Sequence, residues 1–199
     1  MTQNFLNIQS RIATGDGSTL AELYQLFYKR LYRFARLITR SDEIAEEVVD
    51  DVFVKLWTRR DKITEIDNLT VYLYVAVKNR SLNELSRKAQ ELVNTPFDYL
   101  NIELKESAND PHELMVTAEI MHRIQKAIDA LPPRCKMIFK LIREDGLKYK
   151  EVAEILNISV NTIDVQMAIA VKRICTALNI EKSRKDHAFG LPQKKKIIR

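Results

Sequence analysis

The stretch KYKEVAEILNISVNTIDVQ, residues 148–166, decides the fold. Ala153 is small where two helices must cross closely, and Asn157 follows four residues later, at the turn. Left-handed backbone there suits glycine best, and asparagine tolerates it. Ile163, six residues beyond Asn157, plugs the core beneath the second helix, with Val152, Leu156 and Ile158 around it. Ser159 caps that helix and leaves its first turn free to face outward. A small residue, a turn and an apolar plug at this spacing predict a helix-turn-helix. The competing reading is a plain helical hairpin with solvated polar residues.

A helix presented this way enters a major groove and offers its N-terminal side chains to base edges. The candidates are Asn161, Thr162, Asp164, Val165 and Gln166, behind the capping Ser159. Asparagine and glutamine can pair bidentately with adenine, and aspartate can accept from cytosine. Lys148 and Lys150 on the first helix, with Lys172 and Arg173 further along the second, suit phosphates.

Upstream, Leu131-Pro132-Pro133 ends a helix begun near Pro111, whose inward residues are Leu114, Ala118, Met121, Ile124 and Ile128. Pro133 opens the next helix, to Arg143, and Glu144-Asp145-Gly146 is a turn. Residues 91–115 are acidic, hold Pro96 and Pro111 and lack sustained periodicity, which predicts a linker.

Before that linker, apolar residues recur at helical steps three times. Leu20, Leu23, Tyr24, Phe27, Leu31, Phe34, Ala35 and Ile38 mark one helix, with Ser18 as its expected N-cap. Ile44, Ala45, Val48, Val49, Val52, Phe53, Leu56 and Trp57 mark a second, opened at Ser41 or Asp42 with acid in its first turns. A polar break, Asp61 to Asn68, precedes a third, from Leu69 to about Ala89, with Asn68 as its cap. Its expected buried stripe is Leu69, Tyr72, Leu73, Ala76, Val77 and Leu82. Its other flank carries Lys78, Asn79, Arg80, Asn83 and Arg87, near Tyr72 and Tyr74. Cations beside aromatic faces suit partly single-stranded DNA, although a solvated flank has the same composition. The row Glu46, Glu47, Asp50 and Asp51 on the second helix is either a solvated face or a dock for a basic protein.

Composition agrees. Four glycines and five prolines in 199 residues are too few for an all-β chain, and 46% apolar residues support a packed core. Net charge is +2 over residues 1–90, −6 over 91–120 and +9 over 121–199, which gives the +5 of the chain. A basic C-terminal third suits a polyanion, since each phosphate contact releases counterions. Cys135 and Cys175 sit in helical contexts and are expected to be reduced thiols. His112, His122 and His187 are scattered, without zinc spacing. No nucleophile–base set or phosphate-cradling glycine loop is present, which argues against an enzyme, and no cofactor is expected. No stretch approaches the ~18 apolar residues of a membrane span, so a cytoplasmic chain without membrane insertion is expected.

The expectation is therefore an all-α protein of two small helical domains. Residues 1–90 form the first, 91–115 the linker, 116–180 the helix-turn-helix domain and 181–199 a basic tail.

Two runs carry a family resemblance. AEEVVDDVFVKLW (45–57), with YLYVAVKNR (72–80) after it, resembles region 2 of the extracytoplasmic-function (ECF) sigma factors of the sigma-70 family. LPPRCKMIFKL (131–141), with residues 146–156 and 158–163, resembles their region 4. Both occur in order, and together they cover most of residues 18–178.

The resemblance implies a transcription initiation factor that partners core RNA polymerase, through β′ and β, and promoter DNA. Glu47, Asp50, Asp51, Lys55, Leu56 and Trp57 are implied to dock on the β′ clamp coiled coil. The loop Ile63–Asn68, with Ile66, Asp67 and Asn68, is implied to read and open the −10 element. Tyr72, Lys78, Asn79, Arg80, Asn83 and Arg87 are implied to share that task. The helix from Val160 is implied to read the −35 element as duplex, and an anti-sigma factor, often membrane-bound, to hold the chain inactive. The alternative is a stand-alone regulator whose N-terminal helices dimerise or sense a signal. It requires a dimer and a palindromic operator.

Overall fold

The computed structural model describes residues 2–92 and 115–178, so most of the expected linker and all of the basic tail from residue 181 lie outside the described residues. Among the described residues every regular element is a helix: α1 (Thr2–Ala13), α2 (Gly17–Thr39), α3 (Asp42–Thr58), a 3-10 segment (Arg60–Glu65), α4 (Leu69–Leu92), α5 (Met115–Asp129), α6 (Pro133–Arg143), α7 (Tyr149–Leu156) and α8 (Val160–Ala177). None of them is long and apolar enough to cross a membrane.

Helix ends follow the side chains that can satisfy free backbone groups. Ser41 caps α3 through the Ile44 N–H, and Asn68 Oδ1 caps α4 through the Val71 N–H at 3.1 Å, both as expected. The cap of α2 is Asp16, not Ser18: its carboxylate accepts from the backbone N–H groups of Ser18 and Thr19 and from both hydroxyls. Those bonds, and Arg11 beside them, hold its carboxyl well below the usual carboxylate range. An ionised acid at a helix start accepts more donors than a serine hydroxyl, which is why it displaces Ser18 from the role.

Helices α2, α3 and α4 bury their shared stripes on one another, with Leu23, Phe27, Leu31, Phe34, Val48, Val49, Leu56, Leu73 and Val77 at the centre. Two expectations about the stripes fail. Leu82 is 47% exposed, off the face of α4 that buries Val77, Ser81 and Glu84, and Met121 on α5 is 61% exposed. Helix α1, which the sequence reading left unassigned, packs on α2 and on the 3-10 segment through Ile12, Phe5 and Ile8.

In the C-terminal part, α6, α7 and α8 close around Ile138, Leu141, Val152, Ile155, Ile163 and Met167. Cys135 and Cys175 are free thiols, and burial pushes the Cys135 thiol up. The two parts are not apart. Helix α4 packs on α7, α2 touches α6, and one apolar core runs continuously from Phe27 and Tyr74 to Ile155 and Met167.

Candidate nucleic-acid interface

The helix-turn-helix stands as expected. Asn157 has φ 53°, in the left-handed region, and its N–H bonds back to α7. Ala153 and Ile163 are buried where the helices cross. Ser159 Oγ accepts from the Thr162 N–H at 3.1 Å and lies 2.8 Å from the Thr162 hydroxyl. Ser159 therefore shapes the helix start, with its hydroxyl committed to the cap. Beyond it Asn161, Asp164 and Val165 are exposed on the first turns of α8, while Thr162 and Gln166 are half-buried. The Gln166 carbonyl takes the Cys135 thiol at 3.3 Å, fixing the backbone under that side chain. Lys148, Lys150, Lys172 and Arg173 are exposed around this face. Donors and acceptors on a rigid, capped helix start, ringed by cations, can address base edges and phosphates together.

The other expected surface is arranged differently. Ile66 is half-buried and Asp67 exposed, in the turn after the 3-10 segment. Asn68 is committed at both ends of its amide: Oδ1 caps α4, and Nδ2 donates to Glu151 on α7 at 3.2 Å. Lys78 Nζ donates to the Ile155 carbonyl, at the end of α7, at 2.7 Å. Asn79 and Asn83 are exposed, and Tyr72 is half-buried.

Arg80 is a bridge between helices rather than a free cation. Its Nη2 lies 2.6 Å from Asp51 on α3, its Nη1 pairs with Glu84, and Glu47 is 3.9 Å away. Glu84 is only 2% exposed and also takes Arg87 at 2.7 Å. A buried carboxylate requires such partners, so Arg80 and Arg87 are fixed by the cost of leaving Glu84 alone.

Tyr74 is not part of an exposed aromatic platform: it is fully buried, against Phe34, where the two parts of the chain meet. Its hydroxyl donates to Asp145 Oδ2 at 2.8 Å, and burial beside that carboxylate raises the phenol far above its ordinary range. Asp145 also receives Arg33 at 3.1 Å, and its carbonyl accepts from Arg30 at 3.4 Å. Burial still pushes the Asp145 carboxyl up, against the Tyr74 hydroxyl and the arginines, which pull it down. Nothing in the turn Glu144-Asp145-Gly146, read alone, signalled this hub.

The expected docking face divides. Leu56 is 2% exposed and lies in the core, so it cannot touch a partner; it belongs to the apolar stripe of α3. Glu47, Asp50 and Lys55 are exposed, and Asp51 and Trp57 are half-buried, Trp57 under the Arg60 guanidinium at 4.8 Å. Sequence reasoning missed the tyrosines of α2 as part of this face. Tyr24, Tyr28 and Tyr32, four residues apart, line its flank with ring centroids 5.1 and 5.9 Å apart. Tyr24 donates to Asp50 at 2.8 Å and Tyr32 to Asp42 at 2.6 Å, which pushes the Tyr32 hydroxyl up to about 12. Their regular spacing was the available signal. Leu20, Tyr24, Asp50, Phe53, Val54 and Trp57 enclose a shallow, largely apolar hollow beside the carboxylates. Among the described residues no group of His, Cys, Asp and Glu could hold a metal.

Comparison with known proteins matches two segments of the chain. The Sigma-70 region 2 profile matches residues 23–91, and the Sigma-70 region 4 profile matches residues 121–174. The chain is 27% identical to the ECF RNA polymerase sigma-E factor of Escherichia coli (strain K12) over 160 residues, 77% of this chain and 83% of that one. It is 20% identical to the ECF RNA polymerase sigma factor SigW of Bacillus subtilis (strain 168) over 163 residues, 79% of this chain and 87% of that one. Its fold is shared with the sigma factor RpoE of Bartonella quintana, solved with the anti-sigma factor NepR, at a TM-score of 0.59 and 20% identity, covering 81% of this chain and 98% of that one. It is also shared with CnrH, solved with the cytosolic domain of CnrY, at a TM-score of 0.54 and 15% identity, covering 88% and 97%. With both regions present in order and the ECF relatives matched over most of their length, the chain belongs to the ECF branch of the sigma-70 family.

Proposed function

We propose that this transcription initiation factor carries core RNA polymerase to promoters by reading two separate elements and helping to open the DNA between them and the start site. Helix α8 reads the −35 element as duplex through Asn161, Asp164, Val165 and Gln166. The loop Ile63–Asn68 and the exposed flank of α4, with Asn79 and Asn83, take the −10 element as a displaced single strand. Binding the opened strand better than the duplex shifts the melting equilibrium without any chemistry by this chain. Glu47, Asp50, Lys55 and the hollow beside Trp57 dock the polymerase.

The observation that carries this reading is the exposed first turn of α8 behind its Ser159 cap, in a chain whose other half ends a capped loop beside a polar helix flank. The closed arrangement adds a requirement. Elements at −35 and −10 lie about 25 base pairs apart, on the order of 85 Å of duplex at 3.4 Å per pair. Helices α4 and α7 touch, so the two parts must separate before both elements are held. An anti-sigma factor, membrane-bound or free, is a further partner on this reading. NepR and CnrY hold the related folds, and a partner that favours the closed form would oppose promoter binding.

Run-off transcription with core enzyme, with and without this chain, tests the proposal. A promoter-specific transcript that depends on the chain is expected. Absence of that transcript sinks it, as does binding of the chain alone, as a dimer, to a palindromic site, which is the behaviour of a stand-alone regulator.

A further inference from the structure

We infer that Gln9, on α1, is the positioning residue for the loop that reads the −10 strand. The inference rests on the reading just given for residues 63–68. Gln9 lies ahead of the segment matched by the region 2 profile, which begins at residue 23, and it is only 2% exposed. A buried carboxamide must find partners, and its NH2 group has two hydrogens to give. Both go to the loop: Nε2 donates to the Ile63 carbonyl at 2.8 Å and to the Ile66 carbonyl at 2.7 Å.

These bonds fall where the chain leaves helical geometry. Ile66 N–H closes the 3-10 segment on Ile63 O at 3.3 Å, and the next helix begins only at Leu69. The loop is thus held at three points: the buried Ile63 side chain, the Gln9 amide, and the Asn68 cap. Between them Thr64, Glu65 and Asp67 face solvent. Glu65 and Asp67 repel phosphate, so this loop must select its base by shape and hydrogen bonds rather than by charge. Shape selection fails when the backbone wanders, which gives the tether its consequence for specificity.

Helix α1 does not depend on Gln9 to stay in place. Ile12 is fully buried, and the Phe5 ring lies 6.2 Å from that of Phe27. Replacing the amide therefore frees the loop while leaving the helix docked.

The test uses the full chain with Gln9→Met, which keeps length and removes both donors, and Gln9→Ala as a second variant. Run-off transcription with core enzyme on a promoter library reads −10 and −35 preference separately. Discrimination at the −10 position is expected to fall about tenfold, the size set by two net hydrogen bonds. The −35 preference and core-polymerase affinity should not move. Amide exchange at Ile66 is expected to accelerate about tenfold while that of α8 stays unchanged. An unaltered −10 profile in a folded variant overturns the inference. So does loss of the fold in both variants, because the side chain would then support the whole helical unit. Should the unmodified chain itself show no −10 preference, the functional reading fails; unchanged Ile66 exchange in the variants would fail the tether separately.

Discussion

At the start of α8, Asn161, Asp164 and Val165 are exposed, and their side chains make no hydrogen bond or ion pair to the described residues. On α4 and its loop, Lys78 and Asn68 are bonded to α7, and Arg80 to Asp51 and Glu84. On the proposed function, the first surface is free to read bases as it stands. The second is a set of good DNA ligands already spent on the protein itself. A strand ligand must therefore displace α7 before it gains Lys78 and Asn68, whereas duplex can approach α8 directly. On the proposed function, the conditional step of promoter opening would lie at the interface between the two halves, not in the helix-turn-helix.

Asp145 is where that comparison breaks most easily. Asp145→Lys puts a cation beside Arg30 and Arg33 and removes the acceptor of the Tyr74 hydroxyl. The closed form should lose about 3–5 kcal/mol, as for a buried charge deprived of its partner. Small-angle scattering should show a larger radius of gyration, and the free chain should bind −10 single strand more tightly. A variant that stays compact would show that the apolar contact of α4 with α7 holds the halves without Asp145.

Arg80 sharpens the comparison from the other side. Arg80→Ala leaves the buried Glu84 with Arg87 and removes the ion pair from α4 to Asp51 on α3, at about 2–3 kcal/mol by the measure of charged hydrogen bonds. Arg80→Lys keeps the charge but cannot span Asp51 and Glu84 as a fork. If Arg80 is a strut, thermal unfolding shows both variants destabilised, while Asn83→Ala lowers strand binding alone. Strand binding lost in Arg80→Ala with stability intact would return Arg80 to the DNA ligands.

Much of this was legible in the sequence because it is local. The helix-turn-helix needs only Ala153, Asn157, Ser159 and Ile163 at fixed offsets, and the stripes of α2 and α3 are periodic. The N-cap of α2 went to Asp16 over Ser18 because an ionised carboxylate accepts more donors. Leu56 was read as a docking residue although its place in the stripe with Val52 and Phe53 already assigned it to the core. Tyr74 and Asp145 are 71 residues apart, and Gln9 and Ile63 are 54 apart. No periodicity connects such pairs, whereas the face of α1 was legible, since Phe5, Ile8 and Ile12 recur at three- and four-residue steps, and it was passed over.

On the open surface, Gln166→Ala should change −35 preference by about 1 kcal/mol, the low end for a bidentate base contact, because this side chain is half-buried on α8. Binding to −10 strand should be untouched. A library in which −35 preference is unaltered would remove Gln166 from the reader and leave Asn161 and Asp164.

The smallest effect is that of pH on closure. The Asp145 carboxyl is raised in the closed form, chiefly by burial, with Tyr74, Arg30 and Arg33 pulling the other way and Glu144 adding to the rise. Once the halves part it returns to its ordinary value. A group raised in one state takes up its proton there first, so closure gains as pH falls through the raised value toward the ordinary one, and the gain is complete below it. The compact fraction seen by scattering should therefore increase on acidifying from neutrality toward the carboxylate range. Asp145→Asn, neutral throughout and still able to accept from Tyr74, should stay closed with no such dependence. If closure of the unmodified chain instead weakens on acidification, the Arg33 ion pair outweighs the cost of burying the charge, and the hub is an electrostatic clasp rather than a tolerated buried acid.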